Sequence, residues 1–226
     1  MRGACAEIPL KNFAKIFTSG RGKHFCPLNK LLASGNLKLP KTTAIFNMGP
    51  ARVCPALALN LCRAFTPTGR HCCYAMKAET TRTPLVFPYR MEQQKFWKKV
   101  TAEDFVSQFI LINALKELPW TKLRLNEAGD FHGQSCVDKA DKIAMLLARF
   151  KVKTYCYTHR SDLDFTKVRY LVISGSNFQK EGIPNLFMMV EDVKRDRPKG
   201  FSVCPEDCRI CDLCSKRGQK IVIKRH

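Results

Sequence analysis

Four cysteines lie within the eleven residues 204–214, and they constrain this chain more than any other feature of its sequence. Cys204, Cys208, Cys211 and Cys214 follow the spacing C-x3-C-x2-C-x2-C. Thiolates that are separated by two residues each can surround one face of an iron–sulfur cluster. Disulfides are the alternative, but two-residue loops rarely give good bridge geometry. The spacing therefore predicts a metal site in a C-terminal cysteine cluster.

Two kinds of metal site fit this spacing. The bacterial ferredoxin pattern, C-x2-C-x2-C-x3-C, contains the same spacings in reverse order, which favours a [4Fe–4S] cluster. Structural zinc is the alternative, although zinc sites normally join two cysteine pairs across a longer insert. One or two [4Fe–4S] clusters are therefore the expected cofactor, with zinc as the second choice.

Composition indicates an intracellular protein with a packed core. The chain has 226 residues, of which 45% are hydrophobic, and this length is enough for one large domain with appendages. It has twelve cysteines and no apolar centre of a signal peptide near its first residue, so metal or redox chemistry is favoured over a disulfide framework. No apolar stretch reaches the roughly 18 residues of a membrane span. We expect a cytoplasmic protein without a membrane partner.

The net charge of +20 exceeds the about 2–8 charges that keep a small domain in solution. Such an excess suits a polyanion, so a nucleic acid or a nucleotide-type molecule is the expected partner. A solvated basic surface is the alternative. Aromatic residues lie among basic ones in the segment 94–99, QKFWKK, where they would either stack on bases or form one face of an amphipathic helix.

Along the middle of the chain, short apolar runs alternate with segments in which apolar residues recur at helical spacing. One helix is predicted to start at Thr101 with a capping-box-like pattern and to run to about Leu118, and another has its apolar face between Val137 and Leu147. This alternation predicts an α/β fold with a mostly parallel sheet, closed fully or partially into a (β/α) barrel. The predicted strands are 43–48, 122–126, 154–158, 170–174 and 186–190.

The sequence also divides into three predicted segments. Residues 1–35 form an N-terminal helical segment, whose second short helix begins near Pro27. Residues 36–200 form the α/β core, which includes a cysteine-rich, metal-binding loop at 49–88 that is too irregular for a plain helix or strand. Residues 201–226 form a C-terminal metal-binding tail packed on the core.

Functional groups of parallel sheets gather at the carboxyl ends of the strands. The cysteine-rich loop follows the first predicted strand, Asp130 follows the second, and His159 and Arg160 follow the third. These three residues are therefore candidate catalytic residues, with Arg160 suited to bidentate binding of a phosphate or carboxylate. The alternatives are a helix N-cap for Asp130 and a plain surface loop for the other two.

The cysteine-rich loop holds a second group of candidate ligands, Cys54, Cys62, Cys72 and Cys73. A continuous helix from Cys54 to Cys62 would separate the two by about 12 Å along its axis, which is too far for one small cluster. Either this helix is broken, or the two cysteines have different roles.

Several separated motifs resemble the phage "gene product 88" family. They span roughly residues 30–226 in order, which makes the resemblance specific, and it implies a protein of phages or mobile elements that acts in the host cytoplasm. The motifs are LLASGNLKL (31–39), CPA and CYAMKAE within 54–79, RLNEAGDF (124–131), YTHRS (157–161) and the C-terminal C-x2-C-x2-C.

A looser resemblance, to the phage "gene product 37/68" group, extends to the radical S-adenosylmethionine (SAM) superfamily. It implies a [4Fe–4S] cluster held by Cys54, Cys62 and Cys73 after the first strand of an α/β barrel. Tyr74 would pack beside that cluster, and Asp130 would lie near the methionine amino group or the substrate. SAM is then a second cofactor, and an electron donor is a required partner.

Two functions follow from these observations. The first is an iron–sulfur enzyme, radical SAM-like, that acts on a nucleic acid or a nucleotide-type substrate. The second is a non-catalytic nucleic-acid-binding protein that structural zinc or an iron–sulfur cluster stabilises. In the first case the C-terminal cysteines hold an auxiliary cluster, and in the second they fasten the tail to the core.

Overall fold

Within residues 27–62, 73–81 and 85–224, which the computed structural model describes, the chain forms an eight-stranded sheet. Most of the predicted N-terminal segment, residues 1–26, lies outside this range, as does Cys72. The strands are β1 (Ala33–Ser34), β2 (Thr43–Phe46), β3 (Lys122–Leu125), β4 (Lys153–Thr158), β5 (Val172–Ser176), β6 (Asn185–Val190), β7 (Ser202–Val203) and β8 (Lys220–Lys224).

The strands are ordered β1-β2-β3-β4-β5-β6-β8-β7 across the sheet. Only β1 pairs in the antiparallel sense, and every other neighbouring pair is parallel. The predicted α/β fold with a mostly parallel sheet is therefore confirmed. A closed barrel is wrong, because the edge strands β1 and β7 do not pair with each other, and each has only two residues with which to form a ladder.

The predicted segment boundaries at 35/36 and 200/201 both fall beside strands of this one sheet. β1 precedes the first boundary, and β7 and β8 follow the second. The residues on each side of these boundaries therefore contribute to the same hydrogen-bonded sheet.

Helices connect the strands, and the three longest ones pack on one side of the sheet. The helices are α1 (Pro55–Ala58), α2 (Tyr74–Thr81), α3 (Val86–Lys99), α4 (Ala102–Ala114), α5 (Gln134–Ala148) and α6 (Val193–Asp196), with 3-10 turns at Pro27–Lys30, Ala51–Val53 and Leu213–Ser215. The predicted start of α4 is confirmed, because the Thr101 hydroxyl accepts a hydrogen bond from the Asp104 N–H at 3.0 Å. Helices α2 and α3 correct the interpretation of 49–88 as irregular throughout.

The main core lies between the sheet and helices α3, α4 and α5. Phe46 of β2 packs against Trp97 and Phe105, with ring centroids 5.9 and 5.2 Å away. Trp97 is fully buried, and Phe96 is half-buried against the same core. The segment 94–99 therefore presents its aromatic rings to the core, and the interpretation that these rings stack on bases is wrong.

The opposite side of the sheet carries a set of polar side chains, alongside apolar ones such as Ile45 and Val172. Residues that are paired in a parallel ladder point to the same side, and so do residues two apart in one strand. In the ladders, Thr43 pairs with Lys122, Arg124 pairs with Tyr155, and Tyr157 pairs with Ser174. These side chains therefore lie on the same side of the sheet. We call this side the polar face; it is presented by Thr43, Lys122, Arg124, Tyr155, Tyr157 and Ser174.

None of the helices in the described ranges combines the length and the apolar character that crossing a membrane requires.

Candidate functional site

The four C-terminal cysteines lie together against the polar face. Cys204, Cys208, Cys211 and Cys214 line one small cavity of about 20 Å³, which is partly open to solvent. The sheet contributes further lining side chains to this cavity, Thr43, Lys122 and Tyr155. Because these are polar-face residues from the amino-terminal and middle parts of their strands, the cluster lies away from the carboxyl ends.

Backbone hydrogen bonds fasten the cysteine-bearing segment to the rest of the fold. The Cys204 N–H donates to the Val222 carbonyl at 2.8 Å, and the Cys208 N–H donates to the Lys38 carbonyl at 2.9 Å. Lys38 also forms an ion pair with Glu206 at 3.2 Å. The segment is therefore held on both β8 and the loop before β2.

The environment of three of these thiols, Cys204, Cys208 and Cys214, favours their protonated form. Burial raises the pKa of Cys214 to about 11, and burial also raises the pKa of Cys204 and Cys208 above the ordinary thiol value. Neighbouring thiolates contribute to the raised pKa of these three thiols, while a hydrogen bond with Tyr157 lowers the pKa of Cys214. A metal ion that binds here must displace thiol protons.

The donor set fits a soft metal or an iron–sulfur cluster, because it provides four sulfur ligands at one cavity. Nevertheless, no group of three or more His, Cys, Asp or Glu side chains stands in a metal-ligating arrangement within residues 27–62, 73–81 and 85–224. The sulfur atoms would have to close around the ion. Metal binding at either cysteine group therefore stays a prediction.

The chain after Cys54 is not a continuous helix. Helix α1 ends at Ala58, and Asn60 adopts a left-handed conformation with φ of +55°. The N–H groups of Leu61 and Cys62 then both donate to the Ala56 carbonyl, at 2.9 and 3.1 Å. Of the two alternatives for this segment, the broken helix is the correct one, and the break brings the Cys62 backbone back to the first turn of α1.

Cys54 and Cys73 lie near each other at the carboxyl end of the parallel strands. Burial, together with the neighbouring charges of Asp130 and, to a smaller extent, Cys73, raises the pKa of the Cys54 thiol to about 12. Cys73 packs against a small cluster that joins α2 to the loop after β3. Cys54, Cys73 and Asp130 therefore converge, as their positions after β2 and β3 predict.

Asp130 is not a helix N-cap, since Gly133 occupies that position of α5. Its buried carboxylate accepts hydrogen bonds from the Phe131 N–H, the Thr158 hydroxyl and the His159 N–H, at 2.8, 2.7 and 2.8 Å. Burial raises the pKa of Asp130 to about 6, although these three hydrogen bonds act in the opposite direction. The carboxylate thus joins the loop after β3 to the end of β4.

Arg160 is not part of a plain surface loop, because only 5% of it is exposed. Its guanidinium makes a two-pronged ion pair with Asp162, with both nitrogen–oxygen distances at 2.7 Å, and it also donates to the Phe131 carbonyl. The planar fork that would bind a phosphate is already used within the protein. In this arrangement Arg160 holds two loops together.

Gly129 allows the loops after β2 and β3 to approach each other closely. Its φ of +72° lies in the left-handed region, and a Cβ atom at this position would come within 2.5 Å of the Gly49 carbonyl oxygen. The Ala128 N–H next to it donates to the Asn47 side chain at 2.7 Å. These contacts bring the Asp130 loop beside the loop that leads to Cys54.

Tyr74 lies at the polar face, beside Arg124, with 54% of its surface exposed. Its hydroxyl donates to the Glu127 carbonyl at 2.6 Å and accepts from the Arg124 guanidinium at 3.2 Å. The Arg124 guanidinium also lies over the Tyr157 ring, 5.3 Å from its centroid. The sequence predicts no role for Arg124, although the alternation of basic and apolar residues in KLRL places Lys122 and Arg124 together on one side of the strand.

A buried ion pair, also not predicted, supports the first cysteine group. Arg90 of α3 and Glu79 of α2 approach to 2.8 Å, and the Glu79 carboxylate accepts hydrogen bonds from the Ala51 and Arg52 N–H groups. Arg90 also donates to the Ala75 carbonyl. This arrangement links the turn before Cys54 to the helix that follows Cys73, and no local sequence signal indicates it.

The titration of Asp130 and His159 predicts opposite effects of pH on stability in the metal-free protein. Burial lowers the pKa of His159 from 6.5 to about 4, so only the unfolded chain takes up a proton between these values, and the folded state loses about 3 kcal/mol of stability as the pH falls from 6.5 to 4. The raised pKa of Asp130 has the opposite effect. It stabilises the folded state fully below pH 3.8, and this stabilisation is lost as the pH rises through about 6.

Single substitutions should therefore expose the two effects separately. Between pH 6.5 and 4, we expect His159→Gln to become more stable relative to wild type as the pH falls, and Asp130→Asn to become less stable. Urea unfolding at several pH values, followed by circular dichroism, measures these differences. Parallel pH profiles for the wild type and both variants would contradict the assigned burial of the two groups.

Comparison with known proteins identifies the family. The family model for "Gene product 88" matches residues 16–187, a range that contains the first cysteine group and Asp130 and ends before Cys204. Searches of curated proteins and of solved structures find no match. The matched range covers 172 of the 226 residues, and the chain therefore belongs to the gene product 88 family.

Proposed function

We propose that this protein is an iron–sulfur enzyme, radical SAM-like, that acts on a nucleic acid or nucleotide-type substrate in the cytoplasm of the host cell. The observation that carries the proposal is the placement of two cysteine groups around one polar face. Arg124 lies between them: it contacts Tyr74, the residue after Cys73, and it lowers the pKa of both Cys208 and Cys214.

The two cysteine groups would have separate functions. When bound, an iron–sulfur cluster supplies single electrons, which radical SAM enzymes use to cleave the sulfonium of SAM. Cys54, Cys62 and Cys73 are the proposed ligands of that cluster, because they lie in the loop after β2, at the carboxyl end of the sheet. The C-terminal cysteines would hold an auxiliary cluster at the other end of the polar face.

Asp130 is suited to orient the cofactor or the substrate. A carboxylate offers about four acceptor positions, and three are used within the protein. The remaining position can accept a hydrogen bond from an ammonium group such as the methionine amino group. Arg160 and the His159 N–H act as positioning groups for the Asp130 loop.

The alternative is a nucleic-acid-binding protein without catalytic activity, in which zinc or a cluster fastens the C-terminal segment to the sheet. The net charge of +20 supports nucleic-acid binding in both proposals. Trp97 is buried and Phe96 is half-buried, so these rings do not form the exposed aromatic platform that this alternative would have used. The enzyme is therefore the better supported function.

The metal and acid-labile sulfide content of anaerobically purified protein tests the proposal. We expect about eight iron and eight sulfide per chain, the content of two [4Fe–4S] clusters. Cys54→Ala/Cys73→Ala and Cys208→Ala/Cys214→Ala should each remove half of both. Cys136→Ala is the matched control, because this thiol accepts a hydrogen bond from Trp97 in the core and should leave the content unchanged.

Zinc without sulfide would contradict the enzyme proposal and favour the alternative. Iron that both double variants retain in full would contradict the assignment of the ligands. If the expected pattern is found, SAM cleavage by the reduced protein is the next measurement, and it should depend on Cys54 and Cys73.

A further inference from the structure

The polar face carries an unusual set of buried hydrogen-bonding atoms. Nearly all buried polar groups of folded proteins have a hydrogen-bond partner. Within the described ranges, six buried side-chain atoms have none, and five of them belong to Thr43, Arg124, Asn126 and Ser174. The sixth, on Thr154, lies on the side of β4 that faces the helices.

Three of these residues lie in or just after β3 and β5, which β4 separates, whereas Thr43 lies at the amino end of β2. Ladder register places Thr43, Arg124 and Ser174 on the polar face, and Asn126 directly follows β3. Thr43 and Ser174 are fully buried, and Asn126 is 5% exposed. The unpartnered atoms include the Arg124 Nε donor, both amide atoms of Asn126 and two hydroxyls, so the group can both donate and accept hydrogen bonds.

Arg124 determines that a ligand of this group should be negatively charged. None of the ion pairs found among the described residues includes Arg124. Its contacts are the Tyr74 hydroxyl and the Tyr157 ring, both uncharged in their ordinary state. The nearby Glu127 carboxylate instead accepts a hydrogen bond from Asn36 at 2.5 Å. A guanidinium with a free, buried Nε donor is suited to a carboxylate or phosphate.

We propose that the polar face binds a small organic anion, with its anionic oxygens at Arg124 and its hydrogen-bonding groups at Asn126 and Ser174. Ordered water could satisfy the amide and the hydroxyls, but it is uncharged, and the Glu127 carboxylate acts on the guanidinium without forming an ion pair with it. The inference rests on the proposed function, because it specifies the class of molecule that is held between the two cysteine groups.

Isothermal titration of the anaerobically purified protein tests this site. The probes are adenosine monophosphate for a nucleotide, L-glutamate for a carboxylate, and adenosine for a molecule without an anionic group. We expect one of the two anions to bind and adenosine to bind much more weakly. Arg124→Gln should weaken the binding by about tenfold or more, as loss of a charged hydrogen bond does. Arg149→Gln, at an exposed arginine after α5, is the control of equal charge and should bind like the wild type.

Ser174→Ala keeps the test decisive if Arg124→Gln does not fold. Removing a buried hydroxyl that has no partner should maintain or raise thermal stability, because its desolvation is no longer required. The same variant should bind the anion more weakly if the hydroxyl contacts it.

The inference is wrong if neither anion binds, or if Arg124→Gln and Ser174→Ala bind as the wild type does. Iron and sulfide are measured on the same samples, so the two proposals can fail separately. Anion binding by protein without sulfide would retain the site and overturn the iron–sulfur function. Iron–sulfur clusters in a protein that binds no anion would retain the iron–sulfur function and overturn the anion site.

Discussion

Replacing Arg90 by methionine is expected to lower the free energy of unfolding by about 3–5 kcal/mol, as loss of one partner of a buried ion pair does. The Glu79 side chain is completely buried and that of Arg90 is 8% exposed. Without the guanidinium, a buried carboxylate would remain with only backbone N–H groups as partners. Urea unfolding followed by circular dichroism measures the effect.

The chain provides a matched control for this substitution. Lys95 of the same helix pairs with Glu92 at 2.7 Å, but both side chains are about 60% exposed, and such pairs contribute about 0–1 kcal/mol. Lys95→Met should therefore change stability little. Arg90→Met/Glu79→Gln should be more stable than Arg90→Met alone, because the unpaired charge is removed. Equal stability of Arg90→Met and Lys95→Met would contradict the buried pair.

Arg90→Met should also affect the first cysteine group. The substitution removes the Arg90 hydrogen bonds to the Ala75 carbonyl and to Glu79, and it leaves the Glu79 carboxylate, which holds the turn before Cys54, without its charge partner. We expect the folded variant to retain less iron than wild type at that group, with the iron at the C-terminal group unchanged. Lys95→Met should retain the wild-type iron content.

Replacing Trp97 by alanine should have an effect of similar size, a loss of about 3–5 kcal/mol. The Trp97 ring packs against Phe46 and Phe105, lies 5.0 Å from the Lys139 ammonium, and donates to the Cys136 sulfur. Its removal leaves a cavity at the centre of the helix-covered side. Thermal and urea unfolding measure the loss.

This substitution also separates two roles for the segment 94–99. If Trp97 is a core residue, the folded fraction of Trp97→Ala should bind single-stranded nucleic acid as wild type does. Lys98→Ala, at the exposed neighbouring position, should leave stability within about 0.5 kcal/mol of wild type. Full stability of Trp97→Ala together with lost nucleic-acid affinity would show that the ring acts on the surface.

The strands were largely predictable, because a short apolar run identifies a buried strand without any long-range information. The strand predicted at 170–174 instead begins at Val172. The reason is distant in sequence: the Asp141 carboxylate of α5 accepts hydrogen bonds from the backbone N–H groups of residues 169–171 and holds them outside the ladder. Strands β1 and β7 have two residues each, too few to form a pattern.

The candidate site was predictable only where a residue's place in the chain determines its place in space. Asp130 lies near Cys54 because both follow neighbouring parallel strands. Arg160 follows the same rule, but the sequence did not show that Asp162, two residues later, would occupy its guanidinium. The partners of Glu79 depend on how α2 and α3 pack, which no local pattern indicates.

The loop that bears the C-terminal cysteines begins and ends at neighbouring points of the sheet, because β7 pairs directly with β8. Because both ends of this loop are already fixed in the sheet, its chain loses less conformational entropy when the four cysteines come together. Gathering four thiols around an ion is therefore less unfavourable here than in a segment with one unattached end. The loop can also vary in length while both of its ends stay in the sheet, so the spacing of its cysteines can change without loss of the strands on either side.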